Sequence, residues 1–302
     1  MIVVKPTIVA KAMLISSTAT ETYSAWSSGT AYIVGNRVLR TTTERIYQRL
    51  IAGTTATLPE SDPTNWLDLS PSNRWAMFDN QVSTTTTATT SLAVTIATGG
   101  MDTLMLAGAL AYTAVISVRD GLGGTEVYSE SIGMTGETPV DWYGYFFYDR
   151  LSTTSNTQVV RRGLPPIING HLTVTLTGGT GNTVALGSLL FGIAQDVGST
   201  NYGARSGITD FSVKSTDAFG TTTFVKRAFS KRLSADMLIT NAQLNRIQRL
   251  LYSLRATPCI WVGSEEDTLT EALVIYGFYK DFSTTISYPF HSLCSLEIEG
   301  LI

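Results

Sequence analysis

Thr240-Asn-Ala-Gln-Leu-Asn-Arg-Ile-Gln-Arg-Leu-Leu-Tyr-Ser-Leu-Arg255 decides the reading of this chain. It is the one convincing helix in a sequence that otherwise reads as strands and turns. Leu244, Ile247, Leu251 and Leu254 recur at helical spacing, and Leu250 widens the stripe. Asn245, Arg246, Gln248 and Arg249 fall on the other face. Thr240 reads as the N-cap, with Gln243 three residues on to complete a capping box, and Ile239 and Leu244 as a hydrophobic staple. Arg255 suits the negative end of the helix dipole. Thr257-Pro258 stops the helix, because the residue before a proline avoids the α region.

Working outward, β-patterned runs flank this helix: 221–233 before it, then 259–262, 273–282 and 293–298. One amphipathic helix on a small antiparallel sheet is a compact α+β unit, expected over 198–302. The apolar residues Leu301-Ile302 suggest a packed end. Residues 197–219, rich in glycine and serine, read as a connector into this unit.

Upstream, 79–197 reads as a β-sandwich within a unit spanning 71–197. Leu92, Val94 and Ile96 alternate, as do Tyr112, Ala114, Ile116 and Val118, and Leu172, Val174 and Leu176. Leu104-Met-Leu-Ala-Gly-Ala-Leu110 is a short buried run, and Asp141-Trp-Tyr-Gly-Tyr-Phe-Phe-Tyr148 an aromatic strand. Six or more strands joined by glycine turns suit a jelly roll. Asn73-Arg-Trp-Ala-Met-Phe-Asp79 has too many large side chains for a flexible link and is expected to dock. Residues 23–70 form a small Trp-rich module, and 1–22 one or two short strands. The fold class is therefore mainly β, with one α+β unit.

Composition narrows the function. Of 302 residues, 15% are charged and 43% hydrophobic, with Thr, Ser and Gly abundant. That leaves real cores under a weakly charged surface suited to packing against copies of itself. The net charge of −3 provides no global basic field for nucleic acid or anionic membrane. No apolar run approaches the ~20 residues of a spanning helix, and the first residues lack the basic and apolar regions of a signal peptide. Cys259 and Cys294 read as buried free thiols in preference to a disulfide.

Catalytic signatures are missing. His171 and His291 stand far from acids or cysteines at metal-ligand spacing. Gly203-Ala-Arg-Ser-Gly207 has the wrong spacing for a nucleophile elbow. The glycine turns lack the ending of a phosphate loop. Glu265-Glu-Asp267 reads as a solvated hairpin tip, and nothing in the spacing of Glu126, Glu137 and Asp141 makes a glycosidase pair. No cofactor or metal is expected. Lys226-Arg227 and Lys231-Arg232 read equally as inter-subunit salt-bridge residues or as a charged edge strand.

Three resemblances add to this reading. The module's Trp26, Gly29-Thr-Ala-Tyr32-Ile-Val-Gly35-Asn-Arg-Val38, Tyr47 and final Trp66 after Pro59 and Pro63 resemble the small chitin- and cellulose-binding modules of bacterial chitinases. That likeness implies Trp26, Tyr32, Tyr47 and Trp66 as carbohydrate-stacking residues; the competing reading makes them the core of a unit too small to have another. The sandwich, through Leu186-Gly-Ser-Leu-Leu-Phe-Gly192, resembles galactose-binding-like jelly rolls. The final unit resembles the hub-type domains of bacteriophage tail-tip and baseplate proteins. Together they imply a non-enzymatic structural protein of a phage tail tip or baseplate, assembled in the host cytoplasm into the virion. Copies would pack into a ring through Lys226, Arg227, Arg246, Arg249 and Leu250, beside other tail proteins. The outer domains would meet tail fibres or cell-surface glycan. A glycan-binding adhesin and a secreted carbohydrate-active enzyme are the other readings weighed.

Overall fold

A computed structural model describes residues 1–134, 142, 157–216, 218–263 and 272–301. It is mainly β, with one long helix among the described residues. The C-terminal unit is an eight-stranded antiparallel sheet. Its order is Ala194–Asp196, Ile2–Val4, Cys259–Val262, Val274–Thr285, His291–Gly300 and Phe229–Thr240, with Ser199–Thr200 and Arg205–Asp210 both pairing outside the last. One face carries the helix Asn241–Ser253. Leu233, Ala235, Met237 and Ile239 alternate inward on one strand, and Cys294, Leu296 and Ile298 on its neighbour. Ile247, Leu251 and Leu254 are buried against them, with Leu244 and Leu250 half-buried at the flanks, so the helical stripe read from sequence is the packed face. Each such side chain contributes about 1.5–3 kcal/mol by leaving water.

Two local expectations change. Thr240 is the N-cap residue, but its side chain makes no capping bond. It is also the last rung of a strand, opposite His291, and the ladder sets its position. The first helical N–H, of Asn241, instead donates to the Phe290 carbonyl at 3.0 Å. The stretch expected as a connector is structured: Arg205–Asp210 is an edge strand, and Val213–Thr216 pairs with Thr222–Val225 as a hairpin. Strands exposed in this way carry no apolar alternation, so only turn residues were visible in them.

The sandwich has a five-stranded sheet in the order Glu126–Gly133, Thr113–Arg119, His171–Thr177, Ser91–Ala97, Leu14–Ser17. It faces a three-stranded sheet, Gln158–Arg162, Thr103–Ala107, Ser188–Gly192, and the pair Thr86–Thr89 with Thr183–Leu186. The alternating residues named from sequence line the core between them, except Tyr112, which is exposed just before its strand; the run read as buried to Leu110 ends as a strand at Ala107, and Leu110 is exposed. Gly187 separates the two late strands; a methyl there would stand 2.5 Å from the Val82 carbonyl, so the chain passes only because the position is bare. The aromatic run 141–148 and the acidic cluster 265–267 lie outside the described residues, apart from Trp142, which is exposed.

Sandwich and C-terminal sheet are not separate beads. Met105, Ala107 and Leu190 point away from the sandwich core and meet Val4, Ile260, Val262, Val274 and Tyr276. Their neighbours Leu104, Leu106, Leu189 and Phe191 face the sandwich core, while Cys259, Trp261 and Ile275 face the helix. This explains the unbroken apolar runs: those strands are covered on both faces. Residues 1–22 serve both units, Ile2–Val4 pairing in one sheet and Leu14–Ser17 in the other. Cys259 and Cys294 are free and buried.

The Trp-rich module is a three-stranded sheet, Arg37–Arg40, Arg45–Arg49, Trp66–Pro71, beside a short pair, Ala31–Tyr32 with Gly53–Thr54. The segment after it docks as its bulk suggested. Met77 is buried in the sandwich core, and Trp75 meets Phe78 edge-on at 5.3 Å. Glu21 accepts the main-chain N–H groups of Asn73 (3.1 Å) and Arg74 (2.9 Å), and Lys11 pairs with Glu44 at 2.9 Å.

Candidate assembly and ligand surfaces

The fold brings Trp26, Tyr32, Tyr47 and Trp66 into one cluster around Val38. Tyr47 and Trp66 are its buried centre, Trp66 only 2% exposed, with Trp26 and Tyr32 half-buried around them. Tyr32 meets Trp66 edge-on at 5.2 Å and its hydroxyl accepts the Ser27 N–H at 2.9 Å. Burial is the leading cause that pushes the Tyr47 hydroxyl pKa up. Stacking on a sugar needs an open ring face. Trp66 and Tyr47 have none, and the remaining ring area belongs to Trp26 and Tyr32.

Around these rings the arginines divide. Arg40 lies 5.0 Å from the Trp26 ring and forks onto Glu60, at 2.9 and 2.7 Å. Its hydrogen bond is the main cause that holds the Glu60 carboxyl below the usual range. Arg45 pairs with Asp68 at 2.6 Å. Arg49 lies 4.9 Å from the Trp66 ring and is buried. Its Nε and Nη1 have no hydrogen-bond partner, nor do the buried Nε1 atoms of Trp26 and Trp66. Sequence reasoning passed Arg49 over. The signal was its place two residues after Tyr47, which puts it on the strand's buried face.

On the C-terminal unit the named residues are scattered. Arg246 donates to the Asp196 carbonyl at 2.9 Å, and Arg249 to the Asn245 carbonyl of its own helix at 3.2 Å. Leu250 packs partly onto the helix-side core. Lys226 and Arg227 are exposed in the break between Thr222–Val225 and Phe229–Thr240, where the Arg227 N–H donates to Ser212 Oγ at 3.0 Å. They lie outside any strand, unlike Lys231 and Arg232. Lys231 reaches the sandwich, its Nζ donating to Gln158 at 3.0 Å.

What sequence reasoning missed is that the front of the run 221–233 folds back on Val213–Thr216 as a hairpin beside them. Every residue of its two strands is exposed. It carries Val213, Phe224 (72% exposed) and Val225, with Phe211 and Phe229 at its base. A second exposed apolar group, Ile286, Tyr288 and Phe290, lies at the tip between Val274–Thr285 and His291–Gly300. Asn241 pins that tip by donating to the Tyr288 and Pro289 carbonyls at 3.1 and 3.0 Å.

Among the described residues, no three His, Cys, Asp or Glu side chains gather as a metal group, and no helix is long and apolar enough to cross a membrane. His171 Nδ1 lies 2.9 Å from the Asn169 carbonyl. Burial pushes the Cys259 thiol up to about 12 and also raises Cys294, which disfavours the nucleophilic thiolate in both. Glu126 bonds Ser117 on the surface, while Glu137 and Asp141 lie outside the described residues. A cleft of about 100 Å³ between module and sandwich contains one acid, Glu44, already paired with Lys11. No protein-family model matches the chain, and no curated protein matches it.

Proposed function

We propose that this chain is a non-enzymatic structural protein that assembles with copies of itself into a ring, as a component of a phage tail tip or baseplate. The phage context rests on the sequence resemblances. The physical case for association rests on one observation, the exposed apolar hairpin 213–225. A lone two-stranded hairpin is marginal in water. Apolar groups displayed on it favour a surface that covers them. The tip around Phe290 offers a different apolar surface on the same C-terminal unit, as a head-to-tail contact that closes into a ring requires. Lys226 and Arg227 sit at the hairpin's base, while Arg246 and Leu250 hold the helix to its own sheet and Arg249 bonds within the helix. Within such a ring the Trp-rich module faces outward, toward fibres or the host surface.

Light scattering on the purified protein tests this. Wild type is expected to form a discrete oligomer, and Phe224→Ser to shift it to monomer with an unchanged circular dichroism spectrum. A wild-type protein that stays monomeric at high concentration, with its tail neighbours added, overturns the reading.

A further inference from the structure

The module's charges do not balance where it matters. Its four acids are all engaged: Glu44 with Lys11, Glu60 with Arg40, Asp62 with Asn65, and Asp68 with Arg45. Arg49, only 3% exposed, is left without a carboxylate, and two of its nitrogens without an acceptor. A guanidinium has only donors and stays charged at any ordinary pH. A buried charge is tolerated when it is paired; the Trp66 ring supplies part of that, but it accepts none of the in-plane N–H bonds. The indole N–H of Trp66 is a further donor lacking an acceptor in the same core.

The thinnest cover over the guanidinium is at Gly53. Gly53 stands opposite Tyr32 in the short ladder, and a methyl built on it would lie 3.6 Å from Arg49 Nη2. The guanidinium is thus roofed by a position without a side chain. On either side the surface is aliphatic. Ile33 and Val34 are exposed just before Gly35, whose N–H donates to the Arg49 carbonyl at 2.9 Å; Leu50 and Ile51 are exposed just after Arg49.

We propose that this end of the module binds a carboxylate carried on an acidic polypeptide segment, with Arg49 as its charge partner and Ile33, Val34, Leu50 and Ile51 against the neighbouring apolar side chains. The aliphatic rim favours a peptide over an acidic saccharide, whose hydroxyls would find few partners there. A forked guanidinium matches a carboxylate with two parallel hydrogen bonds. The inference stands apart from ring assembly, because no residue of the hairpin or the helix takes part.

Titration of the full-length protein, followed by NMR of its five tryptophan indole N–H signals, tests it. The probes are acetyl-Leu-Glu-Leu-amide, its Gln twin, and glucuronate. The Glu peptide is expected to move the Trp66 signal saturably, with the Gln twin binding at least tenfold more weakly. Arg49→Met is expected to abolish the response while leaving the other indole signals in place. Equal binding of the two peptides, no binding of either, or a full response in Arg49→Met overturns the proposal. Glucuronate binding at Arg49 without peptide binding overturns the peptide assignment. Should Arg49→Met fail to fold, the Glu-to-Gln comparison on wild type decides alone.

Discussion

The Trp-rich module and the body formed by the sandwich and C-terminal sheet solve the same problem at different scales. The body buries three apolar clusters, and its strands share residues between neighbouring cores. The module's cluster has three buried residues, Val38, Tyr47 and Trp66, and two half-buried aromatics. Among the described residues, four of the five buried polar side-chain atoms without a partner fall in the module, the fifth being Thr200 Oγ1 of the body. A small unit has too little interior to keep its polar groups either dry and paired or out in water. The body places Trp261 at its centre and still gives its Nε1–H the Gly277 carbonyl at 3.0 Å. Trp66, equally buried, has no such partner. The difference teaches that in the module the aromatics are framework first, and that its unsatisfied donors are the feature to explain.

The contrast is broken most strongly in the body. Leu190→Asp places a charge in the core shared by sandwich and C-terminal sheet, without a partner there. The expected loss is about 4 kcal/mol or more. Urea unfolding read by circular dichroism should show both units failing together; loss confined to one would mean that their contact contributes little. Trp66→Ala comes next, at about 3–5 kcal/mol. Here the damage should stay local, with fast hydrogen exchange across 23–70 and near-unchanged protection in the body. The smallest effect is acidic. Arg40 lowers the Glu60 pKa in the folded state, so the unfolded chain binds that proton more readily. The stabilisation is therefore present above the unfolded carboxylate value, about 4.3, and fades as pH falls through the lower folded value. It is worth at most about 1 kcal/mol. Glu60→Gln should flatten the module's stability below that pH and leave the body's profile unchanged.

Much of the body was legible because its residues obey a period. The helix stripe, the alternating strands and the run Cys259–Val262 all announced themselves by spacing. The edge strand Arg205–Asp210 and the hairpin strand Val213–Thr216 did not, since strands with little buried face have no reason to alternate. Nor did the double-sided burial of Thr103–Ala107 point to its second partner, because an apolar run says that both faces are covered without saying by what. At the candidate sites, aromatic spacing located the module's cluster correctly. It did not single out Arg49, whose interest lies in the acids being committed elsewhere, a fact of three-dimensional pairing.

The strand Ile2–Val4 lies between Ala194–Asp196 and Cys259–Val262, and so has an order-of-synthesis consequence. This segment is a middle plank of a sheet whose neighbouring planks are synthesised long after it. Such long-range closure is slow. During translation this apolar segment waits without its neighbours, and the C-terminal sheet sets only after Cys259–Val262 has emerged.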